Sequence, residues 1–166
     1  MSEVTCPVCF RHCRLKEGQT GFCGARRNEG GRSVCANYGS VTSIALDPIE
    51  KKPLARFFPG STVLSVGSFG CNMDCPFCQN DSIARADARS ADWQELLPDE
   101  LAELAERLKP RGNIGAAFTY NEPMVGFEYV RDAALKVRGR GMKNVVVTNG
   151  AVSLDALNEV LPYVDA

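Results

Sequence analysis

The sequence predicts an α/β protein: a partial (βα)n barrel of about three βα units and the start of a fourth strand, preceded by a small cysteine-rich segment and a hairpin. Three observations carry this. From residue 62 onward, short β-rich runs alternate with longer runs of helical spacing. Repeated strand–loop–helix units imply a parallel sheet with right-handed crossovers. The 166 residues hold at most half of a closed eight-unit barrel, which takes ~250 residues. Seven of the eight cysteines fall into two clusters, one in the first thirty residues and one after the first barrel strand. The expected organisation is a metal-binding knuckle at 1–32, a hairpin and proline-rich connector at 33–61, and a half-barrel at 62–166.

The knuckle contains Cys6, Cys9, Cys13 and Cys23, with Gly18, Gly21 and Gly24 supplying tight turns. So short a segment has few apolar residues, and a metal is its natural source of order. Four thiols suit a tetrahedral zinc site or a second iron–sulfur cluster, and spacing does not separate the two. Ser33 to Tyr38 and Val41 to Leu46 form two strand-like runs around Gly39-Ser40, a hairpin pattern in which Cys35 packs as a small apolar residue. Prolines 48, 53 and 59 then forbid a regular helix. Phe57 and Phe58 need burial, which is expected beside the second cysteine cluster.

Thr62 to Val66 is the first strand of the repeat. Leu97, Leu101, Leu104, Ala105 and Leu108 recur at helical spacing, with Pro98, Asp99 and Glu100 suited to a first turn. Ile114 to Phe118 is the second strand. Phe127, Val130, Ala134 and Val137 mark a second helix, ended near Gly139 and Gly141. Val145 to Val147 is the third strand. Ser153 caps a third helix carrying Leu154, Leu157 and Leu161, and Tyr163 to Ala166 opens a fourth strand.

The formal net charge is −1, which argues against a polyanion binder. Residues 1–35 carry six basic against three acidic residues, read as a solvated face, so nucleic acid is not an expected partner. No apolar run approaches the ~20 residues that span a bilayer, and the first residues lack the build of a signal peptide. The expected setting is cytoplasmic, where thiols stay reduced and clustered cysteines indicate metal or redox chemistry.

The second cluster is Gly70-Cys71-Asn72-Met73-Asp74-Cys75-Pro76-Phe77-Cys78-Gln79-Asn80. Cys71, Cys75 and Cys78 offer three soft ligands in one loop. A cubane [4Fe–4S] cluster held by three cysteines leaves one iron open, whereas zinc would require a fourth ligand from elsewhere. The cysteine loop, Thr119–Pro123 and Thr148–Gly150 all lie at strand ends, where parallel folds gather their chemistry.

C-x3-C-x2-C with an aromatic before the last cysteine resembles the radical S-adenosylmethionine (SAM) superfamily. Asp47-Pro-Ile-Glu-Lys-Lys-Pro-Leu54, Phe58-Pro-Gly-Ser61, the cysteine loop, Thr119-Tyr-Asn-Glu-Pro123 and the N-terminal knuckle together resemble one branch. That branch is the radical SAM enzyme of the AmmeMemoRadiSam system, related to pyruvate formate-lyase activating enzymes. The resemblance implies that Cys71, Cys75 and Cys78 hold the [4Fe–4S] cluster and that SAM chelates the open iron. It further implies reductive cleavage of SAM to a 5′-deoxyadenosyl radical, which abstracts hydrogen from a protein or small-molecule substrate. Phe77 resembles the aromatic at the adenine. Asn121 and Glu122 stand where relatives carry Gly-Gly-Glu-Pro near the SAM amino group, with Tyr120 and Asn121 replacing the glycines. Thr148 and Asn149 resemble a motif at the methionine part or ribose. A reductant such as flavodoxin or ferredoxin is the implied partner, with a protein substrate in the activase version. The contrasting reading is a non-catalytic iron–sulfur or zinc protein, or an inactive fragment of the enzyme.

Overall fold

In the computed structural model, residues 3–166 are described; Met1 and Ser2, the start of the knuckle segment, lie outside the described residues. Strands β1 (Val4–Thr5) and β2 (Arg14–Leu15) pair antiparallel across the knuckle. Next, β3 (Arg26–Glu29) and β4 (Arg32–Cys35) form a hairpin around Gly30 and Gly31. This corrects the expected hairpin around Gly39-Ser40. Gly30 and Gly31 both take positive φ, 59° and 78°, which a tight two-residue turn favours at both of its positions; Gly39-Ser40 offers only one glycine.

The two runs of the expected hairpin separate. β4 joins β3, and the second run divides into β5 (Ser40–Val41) and β6 (Ser43–Pro48). β6 pairs antiparallel with β7 (Thr62–Gly67), so the connector's first part belongs to the main sheet. Pro48 is tolerated because β6 is an edge strand. After the cysteine loop come a single helical turn, α1 (Asp81–Ala84), and β8 (Gln94–Glu95), which pairs with β5; sequence periodicity marks neither.

The expected βα units follow: α2 (Pro98–Arg107), β9 (Asn113–Phe118), α3 (Phe127–Gly139), β10 (Lys143–Val146) and α4 (Leu154–Val160). The sheet order is β10-β9-β7-β6, with β7, β9 and β10 parallel. The third strand ends one residue earlier than expected, and Val147 N still donates to Phe118 O at 2.9 Å. Residues 164–166 run along the outer edge of β10 without forming a strand: Asp165 N donates to Asn144 O and Val146 N to Ala166 O, each at 2.9 Å. The helix ends follow their sequence signals, with Leu97 N donating to Glu100 Oε2 at 2.7 Å and Ala156 N to Ser153 Oγ at 3.3 Å.

The pleat sorts the strands into two faces. Leu64 and Val66 of β7 and Ala116 and Phe118 of β9 pack against α2 and α3 through Leu101, Ala105, Val130, Ala134 and Val137. On the opposite face Val63, Ala117 and Val145 form a smaller cluster with Ile49, Leu54 and Phe57. The aromatic pair of the connector therefore packs over the sheet's inner face, not beside the cysteine loop. Phe57 is partly buried, and the half-exposed Phe58 meets it edge-on at 5.0 Å. Cys35 is half-buried in β4 and, outside the apolar clusters, donates to Asn37 Oδ1 at 3.1 Å; burial pushes its thiol up to about 12.

Candidate functional site

The three polar motifs arrive together because β7, β9 and β10 are parallel neighbours. Each strand delivers its following loop to the same edge of the sheet. Phe69, fully buried, anchors the exit from β7. Asn121, after β9, clips that exit: its Nδ2 donates to Phe69 O and Gly70 O at 3.1 Å, and its Oδ1 accepts from Ser68 N at 3.0 Å. Glu122 N donates to Gly70 O at 3.2 Å.

The Glu122 side chain turns to β10. Its Oε1 accepts from Met124 N at 2.9 Å and Thr148 Oγ1 at 2.7 Å, and its Oε2 accepts from Asn149 N at 2.7 Å. Asn149 returns to the cysteine loop, its Nδ2 donating to Asn72 Oδ1 at 2.8 Å and lying 3.9 Å from Cys71 Sγ. Asn121, Glu122, Thr148, Asn149 and Cys71 thus form one connected site across three strand ends.

The electrostatics of this site are one-sided. Glu122 is only 2 % exposed, and burial raises its pKa, partly offset by the Asn149 N–H, the Thr148 hydroxyl and the Met124 N–H. Burial likewise raises the Cys71 thiol. The Met73 N–H, 3.4 Å from Sγ, opposes that rise, while Glu122, Cys78 and Cys75 add to it. Glu122, Cys78 and Cys75 all push the Cys71 thiol up, a direction that a metal centre or an ammonium group beside it would reverse.

The loop is fastened at both ends. Arg85 pairs with Asp74 and donates to Cys75 O at 3.0 Å. At the other end Cys71 N donates to Cys23 O at 3.1 Å, so the last knuckle cysteine touches the first loop cysteine through the backbone. Gly70 (φ +95°) permits this approach, because a Cβ there would collide with Cys23 O and come within 2.9 Å of Ala25 Cβ.

Within the knuckle Cys6, Cys9 and Cys23 are buried and Cys13 is half-buried. Burial pushes the Cys23 thiol up to about 11; the N–H groups of Ala25 and Arg26 oppose this, and Cys6 and Cys9 add to it. The knuckle also seats on the last helix, with Ser153 N donating to Val8 O at 2.8 Å and Ala156 packed among Cys6, Val8 and Leu15.

Phe77 stands apart at 83 % exposure, the most exposed large apolar side chain of the described residues. Three contributors carried no role in the sequence reading. Asn72 is fully buried and bonds Ala151 O at 2.8 Å as well as Asn149. Arg11 lies 3.3 Å over the Phe22 ring and donates to Asn72 O at 2.6 Å. Tyr120 reaches back from the strand end to Asp47, 2.7 Å from its Oδ2. Asn72, Tyr120 and Asp47 all lie in motifs visible in the sequence, but their contacts span up to seventy-nine residues of chain.

Residues 65–165 match the Radical SAM superfamily. The chain belongs to that superfamily. It is also 41% identical over 165 residues to the uncharacterized protein MJ0808 of Methanocaldococcus jannaschii. That similarity covers 99% of this chain and 48% of the relative, so the chain spans about half of the relative's length.

Radical SAM membership implies a [4Fe–4S] cluster and SAM. Cys75 and Cys78 lie near enough to Cys71 to add to the rise of its thiol. As placed, though, no three His, Cys, Asp or Glu side chains among the described residues converge on a common metal position. The donor set fits the cluster nonetheless: three thiols on one tethered loop, with an N–H directed at the first of them. No helix among the described residues is long and apolar enough to cross a membrane.

Proposed function

We propose that this chain forms the SAM-binding part of a radical SAM enzyme, with Cys71, Cys75 and Cys78 as the ligands of its [4Fe–4S] cluster. When bound, the cluster and SAM supply reductive cleavage of the sulfur–C5′ bond to a 5′-deoxyadenosyl radical for hydrogen abstraction. The observation that carries the assignment of roles is the Glu122 carboxylate. It is buried, its pKa is raised, and it is tied to Thr148 and Asn149 while Asn149 reaches Cys71 Sγ. With three donors already in place, Oε2 retains acceptor capacity for the SAM ammonium. Thr148 and Asn149 hold that carboxylate in place and contact the methionine part or ribose. Asn121 holds the cysteine loop against Glu122. Phe77, exposed on the loop, packs on the adenine.

The motif at Asp47–Leu54 and the knuckle support placing the enzyme in the AmmeMemoRadiSam branch, with a barrel completed beyond β10 and activase-like chemistry on a protein or small molecule. A flavodoxin or ferredoxin serves as reductant, in a cytoplasmic setting. Cys6, Cys9, Cys13 and Cys23 hold a second metal centre, zinc or iron–sulfur; the support is three buried thiols with N–H groups opposing the rise of Cys23.

The test is anaerobic reconstitution with iron and sulfide, followed by SAM and a strong reductant, with 5′-deoxyadenosine as the readout. Product is expected from the native protein and not from Cys75→Ala. Equal product from both, or none from a protein with its cluster assembled, would overturn the proposal.

A further inference from the structure

The strand-end loop that carries Glu122 contains an unfavourable turn. Asn121 N donates to Thr119 O at 3.0 Å, a bond across two residues, and Tyr120 between them has φ +73°. This is the geometry of the rarer γ-turn, which is strained for a residue with a side chain. The turn lies against the end of β7. Residues 119 and 120 fold back over Gly67, where a Cβ would lie 2.8 Å from Thr119 O and from Tyr120 Cδ2. Leaving the turn, Asn121 clips Ser68–Gly70 and Glu122 meets Thr148 and Asn149. The strained residue therefore aims both side chains.

What holds Tyr120 there comes from the connector. Its hydroxyl donates to Asp47 Oδ2 at 2.7 Å, an oxygen that also accepts from Ser65 Oγ at 2.7 Å and Lys52 Nζ at 2.9 Å. Lys51 Nζ takes the other oxygen at 2.9 Å. Lys52 is 5 % exposed and its ammonium lies 4.8 Å over the Tyr120 ring. A buried lysine and a buried aspartate are costly unless paired, and here the pair closes on one tyrosine. None of these groups reaches the cysteine loop, and Asp47 and Lys52 are too buried to meet a substrate directly.

We propose that Asp47 and Lys52 are positioning residues: they clamp Tyr120 in its positive-φ turn and thereby hold Asn121 and Glu122 in register with the cysteine loop and with Thr148 and Asn149. The consequence for the reaction rests on the SAM-site reading above; the clamp itself does not.

Substitutions at residue 120 separate positioning from packing. Tyr120→Phe keeps the ring and removes the Asp47 bond. Tyr120→Gly removes the whole side chain and relieves the backbone, since glycine takes positive φ freely. The first measurement is amide exchange in protein without SAM, following Met124 and Asn149, whose N–H groups donate to Glu122. The second is SAM binding by the reconstituted protein. Tyr120→Phe and Asp47→Asn are expected to raise exchange at both amides about tenfold and to weaken SAM binding by a similar factor. Tyr120→Gly is expected to stay close to native in both, and Asp47→Asn added to it to change neither further. A purely structural role would rank glycine worse than phenylalanine, and that ranking overturns the proposal. So does native-like exchange in Tyr120→Phe, which serves alone if Asp47→Asn does not fold. If the exchange pattern holds but native protein does not bind SAM, the clamp stands and the SAM reading falls.

Discussion

Glu122 and Asn149 join two parallel strands through one short contact, the Asn149 backbone N–H donating to Glu122 Oε2 at 2.7 Å. Because Asn149 also bonds Asn72 of the cysteine loop at 2.8 Å, the carboxylate is indirectly tied to that loop. Its burial keeps its pKa raised, and a cation arriving beside it would reverse that cost.

Replacing Glu122 by Gln retains the shape, removes the charge and turns an N–H toward a donor. A hydrogen bond to a charged group is worth ~1.5–3 kcal/mol. Equilibrium dialysis of the reconstituted variant is therefore expected to show SAM binding weakened by roughly 10- to 100-fold. Unchanged affinity would remove Glu122 from the SAM site.

Gly70→Ala tests the junction between knuckle and loop. The new Cβ would strike Cys23 O in a backbone at φ +95°. A loss of roughly 2–4 kcal/mol is expected in urea unfolding, with lower iron incorporation because the loop is displaced. A native midpoint with native iron content would show that the junction yields without cost.

Asp47 predicts a pH dependence. Burial pushes its carboxyl up, but the hydrogen bonds from Lys51, Ser65, Lys52 and Tyr120 outweigh this and hold it well below the usual carboxylate range. A folded pKa below the unfolded value, ~3.9, gives stability that is complete above that value and is lost as pH falls toward the folded one. Native protein should exceed Asp47→Asn by about 3 kcal/mol near neutrality. The gap should shrink below about pH 4. A gap independent of pH would mean that the ionised carboxylate is not what stabilises the cluster.

Metal content separates the two cysteine groups. A Cys71/Cys75/Cys78→Ala triple variant is expected to lose the cluster's iron and keep whatever the knuckle holds. Cys9→Ser is expected to lose that second metal and to lower the melting temperature, since the knuckle has little core of its own. A metal-free triple variant with native melting would show that the knuckle folds through packing alone.

Much of this was legible in the residues. The period of the apolar positions located α2, α3 and α4 to within about two residues. Strand–loop–helix alternation implied the parallel sheet, and so the meeting of the motifs at 71, 119 and 148. The hairpin was misplaced because Gly39-Ser40 resembles a turn locally, and a local reading does not weigh it against Gly30-Gly31 or against the free edge of β7 that draws in β6. Phe57 was expected beside the cysteine loop because its need for burial is plain from the sequence, whereas the surface that meets the need is not.

The sequence by itself determined the superfamily, the cysteine loop and the order of the βα units, because spacing and periodicity are properties of the chain alone. Only the tertiary structure decided that Cys23 abuts Cys71, that Asn72 is fully buried beneath Asn149, and that Asp47 reaches Tyr120 across 73 residues. These contacts depend on which strand ends become neighbours and how tightly the backbones approach. Burial then determines which polar groups must find partners, and that requirement joins residues the sequence keeps apart.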